Sequence, residues 1–219
     1  RSSIRVKPLL FRTMVSLLSC SGWLCRVTGV YTTTKKNALF HNSSPGRYHV
    51  ITHYGAHNGT MSDFFQTWSL VRGRFIDAFN GLNQEQLNWR MHDGALTLAE
   101  MALHVAGVEV SFACQLKGDE ATGLASRLKA ASTDGVVNDR PFPFPPAECS
   151  PELVFEAFDL ANDMVKPMIE NPDPWRTKQI VSALGPTIDG TGAFARLAYH
   201  PGYHQGQAHL IKTAPGFPN

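Results

Sequence analysis

The sequence predicts an all-α fold: an antiparallel four-helix bundle with a long crossover connection, preceded by an irregular N-terminal extension. Two observations carry this. From Met61 onward, apolar residues recur at three- or four-residue steps in four separate segments, each framed by helix start and stop signals. Residues 1–60 lack that periodicity and carry a different charge balance.

The balance is visible in the formal net charge of only +2. Residues 1–60 hold eight basic side chains and no Asp or Glu, leaving 12 basic against 18 acidic in the remainder. Such a break separates segments that behave differently, so 1–60 and 61–215 are read as two units. An acid-free, Arg- and Ser-rich stretch has the composition of an organelle transit peptide. Its basic and aromatic residues do not alternate as a nucleic-acid stacking surface requires. "MSDFFQTW" at 61–68 reads as an ordinary protein beginning, which makes the preceding residues a non-native or transit-like extension, expected to be disordered. Within it, His49, His53 and His57 follow one another at four-residue steps. On a helix the outer two would stand about 12 Å apart, and one ion with bonds of about 2.1 Å can take at most two of the three. With Val50, Ile51, Thr52, Gly55 and Gly59 also opposing a helix, this run is read as a decoy.

The first bundle helix is "SDFFQTWSLVRGRFIDAFNGL". Ser62 is its expected N-cap, Phe64, Trp68, Val71, Phe75, Phe79 and Leu82 its apolar stripe, and Asn80–Gly81 its stop. The second, "TLAEMALHVAGVEVSFACQLKG", opens with Thr97 and Glu100 in a capping box. That gives Glu100 a structural task. Its stripe of Met101, His104, Val108 and Ser111 directs His104 inward. The third, "SPELVFEAFDLANDMVKPMIENP", has Ser150 as N-cap, Pro151 in the first turn and Asn171–Pro172 as its stop, with Pro167 bending its last turn. A short strand is expected at Gln179–Ser182, and the fourth helix from about Thr191 to Lys212. Its inward stripe is Ala193, Leu197, His200, His204, Gln207 and Ile211. The link from Lys117 to Glu148 is too long for a simple turn, and so crosses the bundle or forms a lid at one end.

A hydrophobic fraction of 43% suits a soluble domain, and no apolar run approaches the ~20 residues that span a bilayer. Cys20, Cys25, Cys114 and Cys149 form no CxxC pair, which fits a reducing compartment. The expected location is cytoplasmic, or an organelle if residues 1–60 direct import, with neither nucleic acid nor membrane as partner.

His104, His200 and His204 all fall on inward stripes, from two different helices. Burying three imidazoles together is costly unless something takes their lone pairs, and neutral imidazole is the usual donor to first-row metals. Three protein donors with an open position is the pattern of a catalytic zinc site. Pro201 lies between the last two histidines. Either one helix passes through it, or a new helical segment begins there with His200 as N-cap. Both arrangements keep the pair about one turn apart.

"LNWRMHDGALTLAEMALHVAGVE" followed by "GAFARLAYHPGYHQGQAHLI" resembles the DinB/YfiT-like superfamily, over about residues 62–213. The resemblance implies a four-helix bundle whose metal ligands are His104, His200 and His204, often assembled as a homodimer. Gln205 stands where the family frequently has Arg, and Pro201 after the first histidine is unusual for it. Known activities in the family include metal-dependent thiol S-transfer and mycothiol-dependent isomerisation. The expected function is therefore a divalent-metal thiol S-transferase or hydrolase, acting on a small-molecule thiol or electrophile. Zinc or nickel is the expected ion, with iron as a further candidate. The alternative is a non-enzymatic bundle in which the metal is structural or stabilises a dimer. No catalytic residue is assigned. Tyr203 and Gln207 are candidates for orienting ligands, Glu109 is read as part of a solvated helix face, and His92, Asp93 and His209 as exposed.

Overall fold

The computed structural model describes residues 62–183 and 185–219. The expected extension at 1–60, its His49–His53–His57 run, Cys20 and Cys25 lie outside the described residues. Six helices follow in order: α1 (Asp63–Asp77), α2 (Gln84–Asn88), α3 (Leu98–Lys117), α4 (Gly123–Ala131), α5 (Pro151–Glu170) and α6 (Gly190–Lys212). Between α5 and α6 a two-stranded antiparallel hairpin pairs β1 (Gln179–Val181) with β2 (Thr187–Asp189), Ile180 opposite Ile188. The fold is all-α apart from this hairpin.

The caps explain where the long helices begin. The Ser62, Ser150 and Asp189 side chains accept from the backbone N–H three residues on, and Thr97 and Glu100 complete a reciprocal capping box. Gly118 ends α3 in the left-handed conformation, φ +77°, which costs glycine nothing.

α1, α3, α5 and α6 form the bundle. α1 packs on α6 and α5, and α3 packs on the same two, so α1 and α3 face each other across the interior. Ser62, before α1, donates to the Ile169 carbonyl near the end of α5, so these two run antiparallel. Phe64 meets Phe194 at the starts of α1 and α6, and Lys212 reaches the Ala78 carbonyl at their ends, so these two run parallel. α3 and α5 are also parallel: Leu98 shares a cluster with Val154, and Leu116 another with Met168 and Ile169. A parallel pair cannot be joined by a tight turn. The expected long crossover is the segment that returns the chain from the end of α3 to the start of α5.

That crossover contains α4, a helix beyond the four that the sequence periodicity predicts. α4 lies against α3, and the contact is made at Gly107. A Cβ there would be 3.0 Å from the Ser132 amide nitrogen and closer still to the Leu128 carbonyl oxygen. Surrounded by α4, α5, α6 and the hairpin, α3 is buried on nearly every side rather than along one stripe.

One register difference follows from the packing. The inward residues of α1 are Phe65, Trp68, Arg72, Phe75 and Phe79, so Phe64 and Val71 are only half-buried. α6 continues as one helix through Pro201, which decides between the two arrangements left open by the sequence. The bond from residue 201 back to the Leu197 carbonyl is missing. Gly202 follows at once, where a Cβ would lie 2.7 Å from Val71 Cγ1, so α1 and α6 are close here. No described helix is long and apolar enough to cross a membrane.

Candidate metal centre

His104 comes from the first half of α3, and His200 and His204 from the middle of α6. Antiparallel packing of α3 on α6 brings these positions to the same level. All three side chains are buried, and one ring nitrogen of each lies within 4.8 Å of the others. The ring centroids of His104 are 5.1 Å from those of both His200 and His204, which are 4.6 Å apart.

The outer nitrogens fix the tautomers. His104 Nδ1 is 3.1 Å from the Ala131 carbonyl oxygen, an acceptor, so it carries the proton and leaves Nε2 with its lone pair. Ala131 is the last residue of α4, whose terminal carbonyls have no intrahelical donor, so each group satisfies the other. His204 Nδ1 is 2.7 Å from Gln207 Oε1, and the Gln207 amide N–H donates in turn to the Tyr203 hydroxyl, 3.2 Å away. That orients the second Nε2 inward as well.

His200 Nε2 lies 3.0 Å from His204 Nε2. With His204 Nε2 holding a lone pair, the neutral His200 ring meets it through its own Nε2 proton, and the other His200 tautomer frees that nitrogen for an ion. A further proton is disfavoured. Burial pushes the pKa of all three imidazoles below the ordinary value, with the other histidines adding to the effect at His200 and His204. His200 is lowered to about 2 and His204 to about 4. Neutral imidazoles with converging lone pairs form a donor set suited to zinc, nickel or another first-row divalent ion. A tetrahedral ion with bonds of about 2.1 Å places its donors about 3.4 Å apart, within the spread seen here. Among the described residues this is the one His/Cys/Asp/Glu group with that geometry.

The donors open into a cavity of about 740 Å³. Met91, Val136, Val137, Tyr199, Tyr203 and Leu210 contribute apolar and aromatic wall, and Arg196 contributes a cation. His92 lines it too, though exposed as expected, while Asp93 and His209 are exposed and outside it.

A family model for the DinB superfamily matches residues 67–208, well over half of the chain, and spans all three histidines. The chain belongs to the DinB superfamily. No curated protein and no solved structure matched it. In this DinB-superfamily chain the expected inward positions of His104, His200 and His204 are realised, and Gln207 reaches His204 as anticipated.

Glu109 corrects the sequence reading. It is 1% exposed rather than on a solvated face. Its carboxylate accepts from Arg72 Nε at 3.0 Å and from Trp68 Nε1 at 2.8 Å, across the bundle interior. Arg72 also donates to the Phe158 carbonyl at 2.5 Å. Five residues separate Glu109 from His104, a rotation of roughly 140° about the helix axis. The acid therefore faces α1 while the histidine faces α6. A pairing signal was present: Arg72 interrupts the stripe Trp68–Phe75, and Glu109 interrupts Val105–Phe112. Two opposite charges, each inside an apolar stripe, imply a buried pair.

Proposed function

We propose that this DinB-superfamily protein is a divalent-metal enzyme of the thiol S-transferase type, with His104, His200 and His204 holding the ion. The observation that carries the reading is the convergence of three inward imidazole nitrogens on a sizeable cavity. A structural metal site is closed by its ligands, whereas a catalytic one keeps a position free for substrate. An ion bound there supplies a Lewis acid that makes a thiol or water acidic near neutral pH.

The chain's own groups have distinct tasks in this scheme. The Ala131 carbonyl and the Gln207 amide hold two Nδ1–H groups, so that two Nε2 lone pairs remain directed inward. The Tyr203 hydroxyl accepts from Gln207 and so keeps its own proton to donate at the cavity mouth. No carboxylate is among the described residues that line the cavity. A thiol, with an ordinary pKa near 8.5, needs less help to ionise than water does, and this favours S-transfer over hydrolysis.

The test is elemental analysis of wild-type and His104→Ala protein purified without a metal-affinity tag, followed by thiol transfer to a chromogenic aryl halide. About one divalent ion per chain is expected in wild type, with metal and transferase rate both lost in the variant. Equal metal in the two would refute the three-histidine centre. Metal without any thiol transfer would leave the structural role as the better account.

A further inference from the structure

Arg196 sits one turn before His200 on α6, lines the same cavity, and has no acidic partner among the described ion pairs. Its Nη1 donates to Ser182 Oγ at 2.5 Å. Ser182 is 2% exposed and follows β1 directly. The hairpin is itself fixed to α3: Gln115 Oε1 accepts from the Val181 amide at 2.8 Å, and its amide N–H donates to the Val181 carbonyl. The guanidinium is thus tethered by one of its five N–H donors to the end of β1, which Gln115 holds against α3. An arginine so held, facing a cavity without carboxylates, lacks the anion that would normally pair with it.

We propose that Arg196 is the specificity-determining residue of this cavity. It recognises a substrate carboxylate that lies about one helical turn from the atom bound at the three histidines. A planar guanidinium fork is the natural partner of a carboxylate, pairing through two parallel hydrogen bonds. Met91, Val136, Val137 and Leu210 then accommodate an apolar connecting body, and Tyr199 and Tyr203 flank the opening. The preferred substrate class is a small molecule with a metal-seeking head such as a thiol, a short apolar spacer and a carboxylate.

This inference rests on the metal reading above, and its test separates the two. Cobalt(II) is first titrated into metal-free protein and its uptake measured by elemental analysis. Mercaptoacetate, 3-mercaptopropionate and 4-mercaptobutyrate are then bound, each beside its neutral primary amide, with affinity read from the thiolate-to-cobalt absorption band. At least one acid is expected to bind about 10-fold or more tighter than its amide, the worth of a charge-assisted hydrogen bond. Arg196→Met should take up cobalt as wild type does and bind acid and amide within about twofold of one another. Arg196→Lys keeps the charge without the fork and should retain a reduced preference. It also carries the test if the methionine variant does not fold. Acid and amide binding alike in wild type, or a preference that survives intact in both variants, would overturn the proposal alone. Wild-type protein that takes up no cobalt would overturn the metal reading and this proposal with it.

Discussion

Replacing Gly107 by alanine tests whether α4 is what holds His104. The added methyl would lie under 3.0 Å from the Leu128 carbonyl oxygen, 3.0 Å from the Ser132 nitrogen and 3.2 Å from the Leu128 carbonyl carbon. These are backbone atoms, which cannot turn aside as a side chain can. A comfortable carbon–oxygen contact is about 3.3 Å or more, so α4 must retreat by roughly 1 Å. His104 lies three residues before Gly107 on α3, and Ala131 three residues after Leu128 on α4, on the faces that meet. The retreat would stretch the 3.1 Å His104–Ala131 bond beyond hydrogen-bonding reach.

The energies oppose each other. Alanine gains about 1 kcal/mol over glycine inside a helix. Overpacking against backbone costs about 1–3 kcal/mol, and leaving a buried carbonyl unpaired costs about 1–3 kcal/mol more. The net expectation is a loss of about 1–5 kcal/mol, or roughly 2–20 °C in Tm for a domain of this size. Metal affinity should fall about 10–100-fold, as it does when a ligating histidine loses its outer partner. Thermal melting by circular dichroism and zinc competition against a fluorescent chelator read the two effects. Gly73→Ala is the control: it is also a helix-interior glycine, with nothing within 4 Å of its added Cβ, and should gain about 0.5–1 kcal/mol. A Gly107→Ala protein that melts no lower than wild type and binds zinc equally well would refute the reasoning.

Four further changes follow from particular contacts. Glu109→Gln leaves Arg72 charged and buried, and should cost about 3–5 kcal/mol in urea unfolding with metal content unchanged; a loss under about 1 kcal/mol would deny the pair its role. Gln207→Leu removes the partner of His204 Nδ1, and calorimetric zinc titration should show about 10–100-fold weaker binding in a protein that melts normally. Pro201→Ala restores the N–H facing Leu197, so Tm should rise while zinc binding weakens as the His200–His204 angle changes; unchanged zinc affinity would mean that the proline does not set that angle. Burial, reinforced by Glu100 and Glu148, pushes the Cys149 thiol up to about 11 from the ordinary 9.0. Above pH 9 the unfolded chain gives up this proton while the native one keeps it, so stability should fall as pH rises from 9 to about 11, by at most about 1.4 kcal/mol per pH unit. Cys149→Ala should flatten that part of the pH profile.

The four bundle helices and the three histidines were legible because both rest on local signals. Ser62, Thr97 and Ser150 announce helix starts, and His104, His200 and His204 keep helical step with apolar neighbours. The Thr97–Glu100 box was readable for the same reason. What escaped the sequence depends on contacts far apart in the chain. α4 is nine residues long and has no side-chain cap, and its spacing of Leu124, Leu128 and Ala131 was its only mark. Ala131 matters through its carbonyl, which every residue possesses, so no reading of side chains could have selected it. In the α1 stripe Trp68, Phe75 and Phe79 are buried as expected, but Phe65 and Arg72 take the inward places expected of Phe64 and Val71, and the partner that lets Arg72 be buried lies 37 residues away.

α3 carries the argument about how fold and site depend on each other. Among its buried polar residues are His104 and Glu109, each directed at a different neighbour. Each is costly to bury alone. Glu109 is satisfied entirely by protein, through Arg72 and Trp68, so its requirement is met by folding itself. His104 is satisfied on one nitrogen only, by Ala131, and its Nε2 has no protein partner. No fully buried side-chain nitrogen among the described residues lacks a partner, so this atom is open to the cavity. The same helix therefore contains one polar group closed by the fold and one left open to what enters the cavity. An ion that takes up the open nitrogens favours the native state, since unfolding separates α3 from α6. Its binding energy then adds to stability by mass action, and removing it should destabilise the bundle at the histidine centre while leaving the Arg72–Glu109 end intact.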